Sequence, residues 1–236
     1  MSDTSNSKPH HLAMVVAGAL AVAGLALHLR PAGVCSGDDV MVLVTGGGKS
    51  YCIDAYEEVY HEQRWVSRPG LRPGPAAVSW SEARAICKHK GGWLCTSDQW
   101  EDACDGKVGP GGYTYPYGPG YQPRTCCTVS RDRAASRTPN TENRDLRYAT
   151  LGGALPGCVS AFGAYDMSGN YWEWTDPGTG STEKRGGAYY SGNPEANACS
   201  SSYTGHLPTH KGTITFRCCA RPRPPQLHRP WTWYDW

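Results

Sequence analysis

Gly163-Ala164-Tyr165-Asp166-Met167-Ser168-Gly169-Asn170-Tyr171-Trp172-Glu173-Trp174-Thr175 is the stretch on which the fold turns. Within it, Asp166-x-x-Gly169-x-Tyr171-x-Glu173 sets two carboxylates and two turn carbonyls close together in the chain. Hard oxygen donors from side chains and backbone are what calcium takes. A turn whose carboxylates cap backbone N–H groups fits the same pattern. Both readings stand open here. Trp172 and Trp174 belong to the core.

The surrounding chain has little aliphatic material to bury. Of 236 residues, Val, Leu, Ile and Phe together make 31, and nine of these precede Cys35. Gly and Pro together number 47. Such a sequence builds no ordinary aliphatic core. Disorder would also want high net charge and few aromatics. Here the formal charge is +2, with nine Trp and fourteen Tyr. The core is therefore expected to be aromatic, cross-linked and loop-rich. The near-neutral balance argues against a nucleic-acid binder held by a basic field.

Residues 12–29 are apolar except His28. As a helix they would span about 27 Å, enough to cross a bilayer. A membrane anchor and a cleaved signal peptide both fit, with residues 1–11 as the flanking n-region. Either would place the rest of the chain outside the cytoplasm, secreted or membrane-anchored. Eleven Cys after an export segment read as disulfides. The odd count leaves one over, and Cys35, beside the apolar run, is its expected identity. Cys52, Cys87, Cys95, Cys104, Cys126, Cys127, Cys158, Cys199, Cys218 and Cys219 remain as disulfide candidates, with connectivity open.

Two helices carry clear punctuation. Ser79-Trp80-Ser81-Glu82 and Thr96-Ser97-Asp98-Gln99 are capping boxes. Gly91-Gly92 stops the first helix and Gly106 the second. Met41–Val44 and Tyr51–Asp54 read as strands. Residues 107–156 show no usable periodicity, and a loop that long is normally pinned or functional. Arg185-Gly186-Gly187 reads as a strand start with close backbone approach. Arg217 is expected to hold a buried carboxylate. Residues 222–236 are a Pro/Arg/Trp-rich tail, read as a strap packing its aromatics on the domain.

Four segments line up in order: Tyr51–Glu57; Val78 through Ala103; Tyr115-Pro116-Tyr117-Gly118; and Gly163–Thr175 followed by Arg185-Gly186-Gly187-Ala188-Tyr189 and Phe216-Arg217-Cys218. Together they resemble the sulfatase-modifying-factor family, whose founding member is the formylglycine-generating enzyme. The resemblance covers roughly residues 50–221, within a domain bounded at 36–221. It implies an α+β, loop-rich, C-type-lectin-like single domain with two short helices and short strands, stapled by disulfides.

The resemblance also implies chemistry. The family's enzyme oxidises a Cys of nascent sulfatases to formylglycine, using oxygen and copper(I) held by two Cys. Soft thiolates suit copper(I). Cys199 matches the second of that pair and is the candidate catalytic residue. The first position falls on Pro194, which has no donor atom, and Thr215 stands where the family has Gly. The structural alternative is that Cys199 is bridged, to Cys218 or Cys219. His206 and His210 could rescue a metal site. By the same resemblance Asp166 and Glu173 would give side chains, and Gly169 and Tyr171 backbone oxygens, to calcium. The family's second calcium site falls between Cys126 and Asp145, with ligands unmatched.

The function expected is thus an exported, membrane-tethered binding or structural module that has lost the copper site. Its partner would be a peptide, a glycan or an envelope protein, with no nucleic acid. The alternative is a formylglycine-generating or related oxygen-dependent oxidase with a divergent site.

Overall fold

The computed structural model describes residues 34–35, 37–73, 77–128, 149–204 and 213–224. The chain divides into two units, Met1–Arg30 and Pro31–Trp236. Every described residue belongs to the second. No helix among them is long and apolar enough to cross a membrane. The apolar run 12–29, His206, His210 and tail residues 225–236 lie outside the described residues.

Two short helices form where their caps place them. The first, α1 (Trp80–His89), opens on Ser79, whose side chain accepts from the Glu82 N–H while the Glu82 carboxylate accepts from the Ser79 N–H. The second, α2 (Ser97–Asp105), repeats the box with Thr96 and Gln99 and ends at Gly106 in the left-handed region, φ 77°. Each box satisfies two of the donors that a helix start leaves without intrahelical partners.

The strands are short and form three sheets. The first sheet is antiparallel, with β1 (Met41–Gly46), β2 (Lys49–Asp54), β10 (Cys218–Ala220) and β5 (Trp93–Leu94) side by side in that order. A hairpin pairs β3 (Glu58–His61) with β4 (Arg64–Ser67). The third sheet runs β8 (Ser202–Thr204), β7 (Glu183–Arg185), β6 (Trp172–Thr175), β9 (Ile214–Phe216), with β6 and β9 parallel. Between β9 and β10 lies one residue, Arg217. There the chain leaves one four-stranded sheet and enters the other.

Aromatics fill the interior, as the composition requires. Trp100, Trp174, Tyr171, Tyr189 and Phe216 are almost wholly buried. The indole edges are used: the Trp174 N–H donates to Val78 O at 2.8 Å, that of Trp100 to Glu173 at 2.7 Å and that of the half-buried Trp80 to Thr175 O at 2.8 Å. A buried indole with its donor paired keeps its large apolar area without a desolvation penalty.

Five disulfides staple this core: Cys35–Cys52, Cys87–Cys218, Cys95–Cys219, Cys104–Cys199 and Cys126–Cys158. Three expectations change. Cys35 is bridged, because the Val34–Arg223 backbone bridge brings this segment to the domain, where Cys52 sits on β2. Cys127 is the cysteine that keeps its thiol, packed beside Tyr171 and Tyr189. Cys199 reaches Cys104 on α2, because Cys218 and Cys219 on β10 are already taken by α1 and by Cys95 next to β5.

Arg185-Gly186-Gly187 ends a strand instead of starting one. Gly186 and Gly187 both have positive φ, 88° and 73°. A Cβ on Gly187 would sit 2.2 Å from the Asn197 Oδ1. The close approach is real, but it follows β7.

Candidate functional site

The segment expected to carry a thiolate pair is built from a short 3₁₀ turn, Pro194–Asn197. Asn193 caps it, accepting from the Glu195 N–H at 3.0 Å. Pro194 offers only its carbonyl, which accepts from the Tyr115 hydroxyl at 3.2 Å. Cys199 follows, buried, with its N–H on Thr114 O at 2.8 Å and its sulfur joined to Cys104. Arg185 closes the region, donating to Glu101 at 2.8 Å, to Glu183 at 2.7 Å and to Cys199 O at 3.3 Å. The chain therefore supplies a prolyl carbonyl and a cystine where a copper(I) site needs two thiolates.

The remaining thiol, Cys127, is poorly suited to nucleophilic work. Burial, with the charges of Glu57 and Asp166 adding to it, pushes it up to about 11. A thiol held that high is protonated at neutral pH.

The opening segment folds into a knot of buried charge. Asp166 (φ 60°), Gly169 (φ 83°) and Asn170 (φ 54°) all take left-handed backbone. Asn170 and Asp166 tolerate this because a short polar side chain can bond locally. Gly169 has a second constraint: a Cβ there would stand 2.3 Å from Cys127 O. Asp166 on this turn, Glu173 on β6 and Glu57 from between β2 and β3 are three buried carboxylates with one cation, Arg217, among them. Arg217 donates from Nε to both Glu173 oxygens, at 3.0 and 2.8 Å, and from Nη2 to Oε1 at 2.9 Å. The Trp100 indole N–H donates to Glu173 Oε2 at 2.7 Å. Glu57 accepts from the Asn170 amide and from the Tyr171 N–H. Asp166 accepts from the Gly153 N–H at 2.7 Å through Oδ2, and its Oδ1 is buried without a partner.

One arginine does not neutralise three carboxylates, and the proton affinities of Glu57 and Asp166 show it. Burial, then the charges of Glu173 and Asp166, holds Glu57 well above the usual carboxylate range. Burial pushes Asp166 up to about 6. These groups keep protons in the folded chain that the unfolded chain releases near pH 4. Folding stability therefore falls as pH rises from about 4 through about 6 on account of Asp166, and further where Glu57 titrates. In chelating buffer the denaturant midpoint should be higher at pH 5 than at pH 8. Asp166→Asn should flatten that difference. A midpoint that rises monotonically from pH 5 to pH 8 would refute the assignment.

The sequence from residue 41 to residue 222 matches the model of the sulfatase-modifying factor enzyme 1-like domain. The chain belongs to the sulfatase-modifying factor family. It is 36% identical over 104 residues to the inactive C-alpha-formylglycine-generating enzyme 2 of Bos taurus, covering 42% of this chain and 31% of that protein. It is 32% identical over 98 residues to the formylglycine-generating enzyme of the same species, covering 42% of this chain and 25% of that protein. The matched region thus spans less than a third of either relative. Among solved structures, PvdO from Pseudomonas aeruginosa aligns over 77% of this chain and 90% of its own, at 14% identity and a TM-score of 0.47.

Neither metal that the family implies fits the residues as placed. Copper(I) is refused by Pro194 and the Cys104–Cys199 bridge. For calcium, Glu173 already gives both oxygens to Arg217 and Trp100. A cation bound through Glu173 would lie against the Arg217 guanidinium. Of the side chains in the implied set, Asp166 Oδ1 alone has no partner. The region from Cys126 to Asp145, where the family's second calcium site was sought, is described only to Thr128, and Cys126 there is bridged to Cys158.

Sequence reasoning found the Arg217–carboxylate pairing but not the identity of the carboxylate. It also passed over Asp54, Glu57 and Glu58. The signal was available: three carboxylates in the five residues from Asp54 to Glu58, directly following an apolar strand.

Proposed function

We propose that this chain is a non-catalytic binding or structural module of the sulfatase-modifying factor family. The observation that carries the reading is the Cys104–Cys199 disulfide opposite Pro194. Oxidation of a substrate Cys by oxygen in this family uses a copper(I) thiolate pair, and here one position is a proline and the other a cystine. The relative named as inactive supports the same direction. Five disulfides in one compact unit favour an oxidising compartment, and residues 12–29 would supply the export signal or tether. The surface of the domain would then meet a peptide, a glycan or an envelope protein.

A thiol map tests this. The full chain, made in an oxidising compartment, is alkylated without reduction, digested and analysed by mass spectrometry. Cys104 and Cys199 should appear as one linked peptide pair, and Cys127 should carry the alkyl label. Copper(I) added to the same protein with a Cys-containing sulfatase peptide should produce no oxygen uptake above the peptide-free control. A labelled Cys199 together with copper-dependent formylglycine formation would establish the oxidase instead.

A further inference from the structure

A second group of buried carboxylates lies apart from the Glu173–Arg217 pair. Asp54 ends β2 and Glu58 begins β3, and each is 1% exposed. Asp54 Oδ2 accepts from the Cys218 N–H at 2.6 Å. Glu58 Oε1 takes the Lys90 ammonium, which also reaches Asp39 at 2.7 Å. Asp39 spends its other oxygen on the Ser67 N–H at 2.9 Å. That leaves Asp54 Oδ1 and Glu58 Oε2 buried with no hydrogen-bond partner. One carboxylate oxygen of each lies within 4.8 Å of the other and of the Cys218 sulfur. This is the sole such group of three among the described residues.

We propose that Asp54 and Glu58 bind a hard divalent cation of the magnesium or manganese class. Three facts select that ligand. First, with all three carboxylates ionised only one ammonium faces them, so two negative charges are left over, which one divalent ion balances. Uncompensated buried charge is costly enough that something must neutralise it. Second, Cys218 is tied to Cys87 and offers no thiolate, so the donor set is oxygen alone, which disfavours zinc and copper(I). Third, two carboxylate ligands are few for calcium. They suit an ion that keeps several waters and binds proteins through one or two carboxylates. Asp54 lines a cleft of about 1410 Å³, bordered by Trp65, Lys90, Trp93 and Arg221.

Other charges lie near the pair, among them Arg221 and Arg223 on the cleft wall. Arg217 donates to the Asp54 carbonyl at 3.1 Å, and its charge is met by Glu173. His89 and Arg64 lie on the cleft wall, and Arg64 is drawn toward Asp38 at 3.9 Å. Burial and then Glu58 raise Asp54 well above the ordinary carboxylate range. Burial works against the Lys90 charge, yet Glu58 and Asp54 hold its pKa up.

The test uses the full disulfide-bonded chain, stripped with chelator and titrated with Mn2+ at pH 7.5. Loss of the free-Mn2+ electron paramagnetic resonance signal reads occupancy, and near-ultraviolet circular dichroism checks each variant's fold. Mn2+ should bind. Asp54→Asn and Glu58→Gln should each weaken it about tenfold or more, since affinity follows the charge of the ligand set. Lys90→Gln should strengthen it severalfold, a gain that a merely structural lysine would not produce. If Asp54→Asn does not fold, Glu58→Gln and Lys90→Gln carry the result. Binding that Glu58→Gln and Lys90→Gln leave unchanged overturns the proposal. So does a protonated-carboxyl infrared band that Glu58→Gln removes and excess Mn2+ does not, which would make the pair a shared-proton site.

Discussion

Arg217→Met should lower the stability of the domain by about 3–5 kcal/mol, the usual cost of removing one partner from a buried ion pair. The side chain has no exposed surface, and Glu173 beside it is equally buried. Without the guanidinium, Glu173 keeps only the Trp100 donor, and the Asp54 and Tyr165 carbonyls each lose one. Glu57 and Asp166 lose the nearest positive charge as well. Desolvation of the unpaired carboxylate therefore decides the size of the effect; lost packing is a small part. Replacing both partners, Arg217→Met with Glu173→Leu, should cost less than the two single changes added together, because no charge is then left alone. Urea midpoints of the four proteins give the answer. A single Arg217→Met variant within about 1 kcal/mol of the parent would mean that the cluster is neutralised in another way.

The second large effect concerns the pair of disulfides that hold β10. Cys87–Cys218 and Cys95–Cys219 end on adjacent residues, with sequence separations of 131 and 124. With one intact, the other closes only a small ring, about eleven residues long. In the chain-entropy account, removing either by Cys→Ala changes should cost about 3 kcal/mol. Removing both opens a much longer loop, bounded next by Cys104–Cys199, and should cost about 6 kcal/mol in all. That is comparable to the whole stability of a typical domain. The four-fold Cys→Ala protein should therefore be unfolded or degraded at 37 °C, while each two-fold variant still folds. Circular dichroism melts would show it. Full folding of the four-fold variant would mean that the pairing of β10 with β2 and β5 and the Arg217 ion pair suffice without the bridges.

Much of the molecule was legible in its residues. The helix starts were, because a capping box is a local device: Ser79 with Glu82, and Thr96 with Gln99, need no partner from elsewhere in the chain. The aromatic, cross-linked interior followed from counting, since so few aliphatic side chains leave no other way to fill a core. Family membership was readable from the order of four segments. A proline side chain offers no thiolate in any fold.

What lay beyond local reading was every choice of partner. The sequence could say that Arg217 needs a carboxylate. Only the crossing of the chain between two sheets at that residue selects Glu173 over Glu57 and Asp166. It could say that eleven cysteines leave one over, but not that α2 would bring Cys104 to Cys199 and leave Cys127 with its thiol. The Gly186-Gly187 pair was read correctly as a close approach and placed at the wrong end of its strand. Positive φ is needed where a chain turns, and the direction of that turn depends on Asn197, ten residues on. Local chemistry constrains each residue's needs, whereas contacts between residues far apart in sequence decide which neighbour meets them.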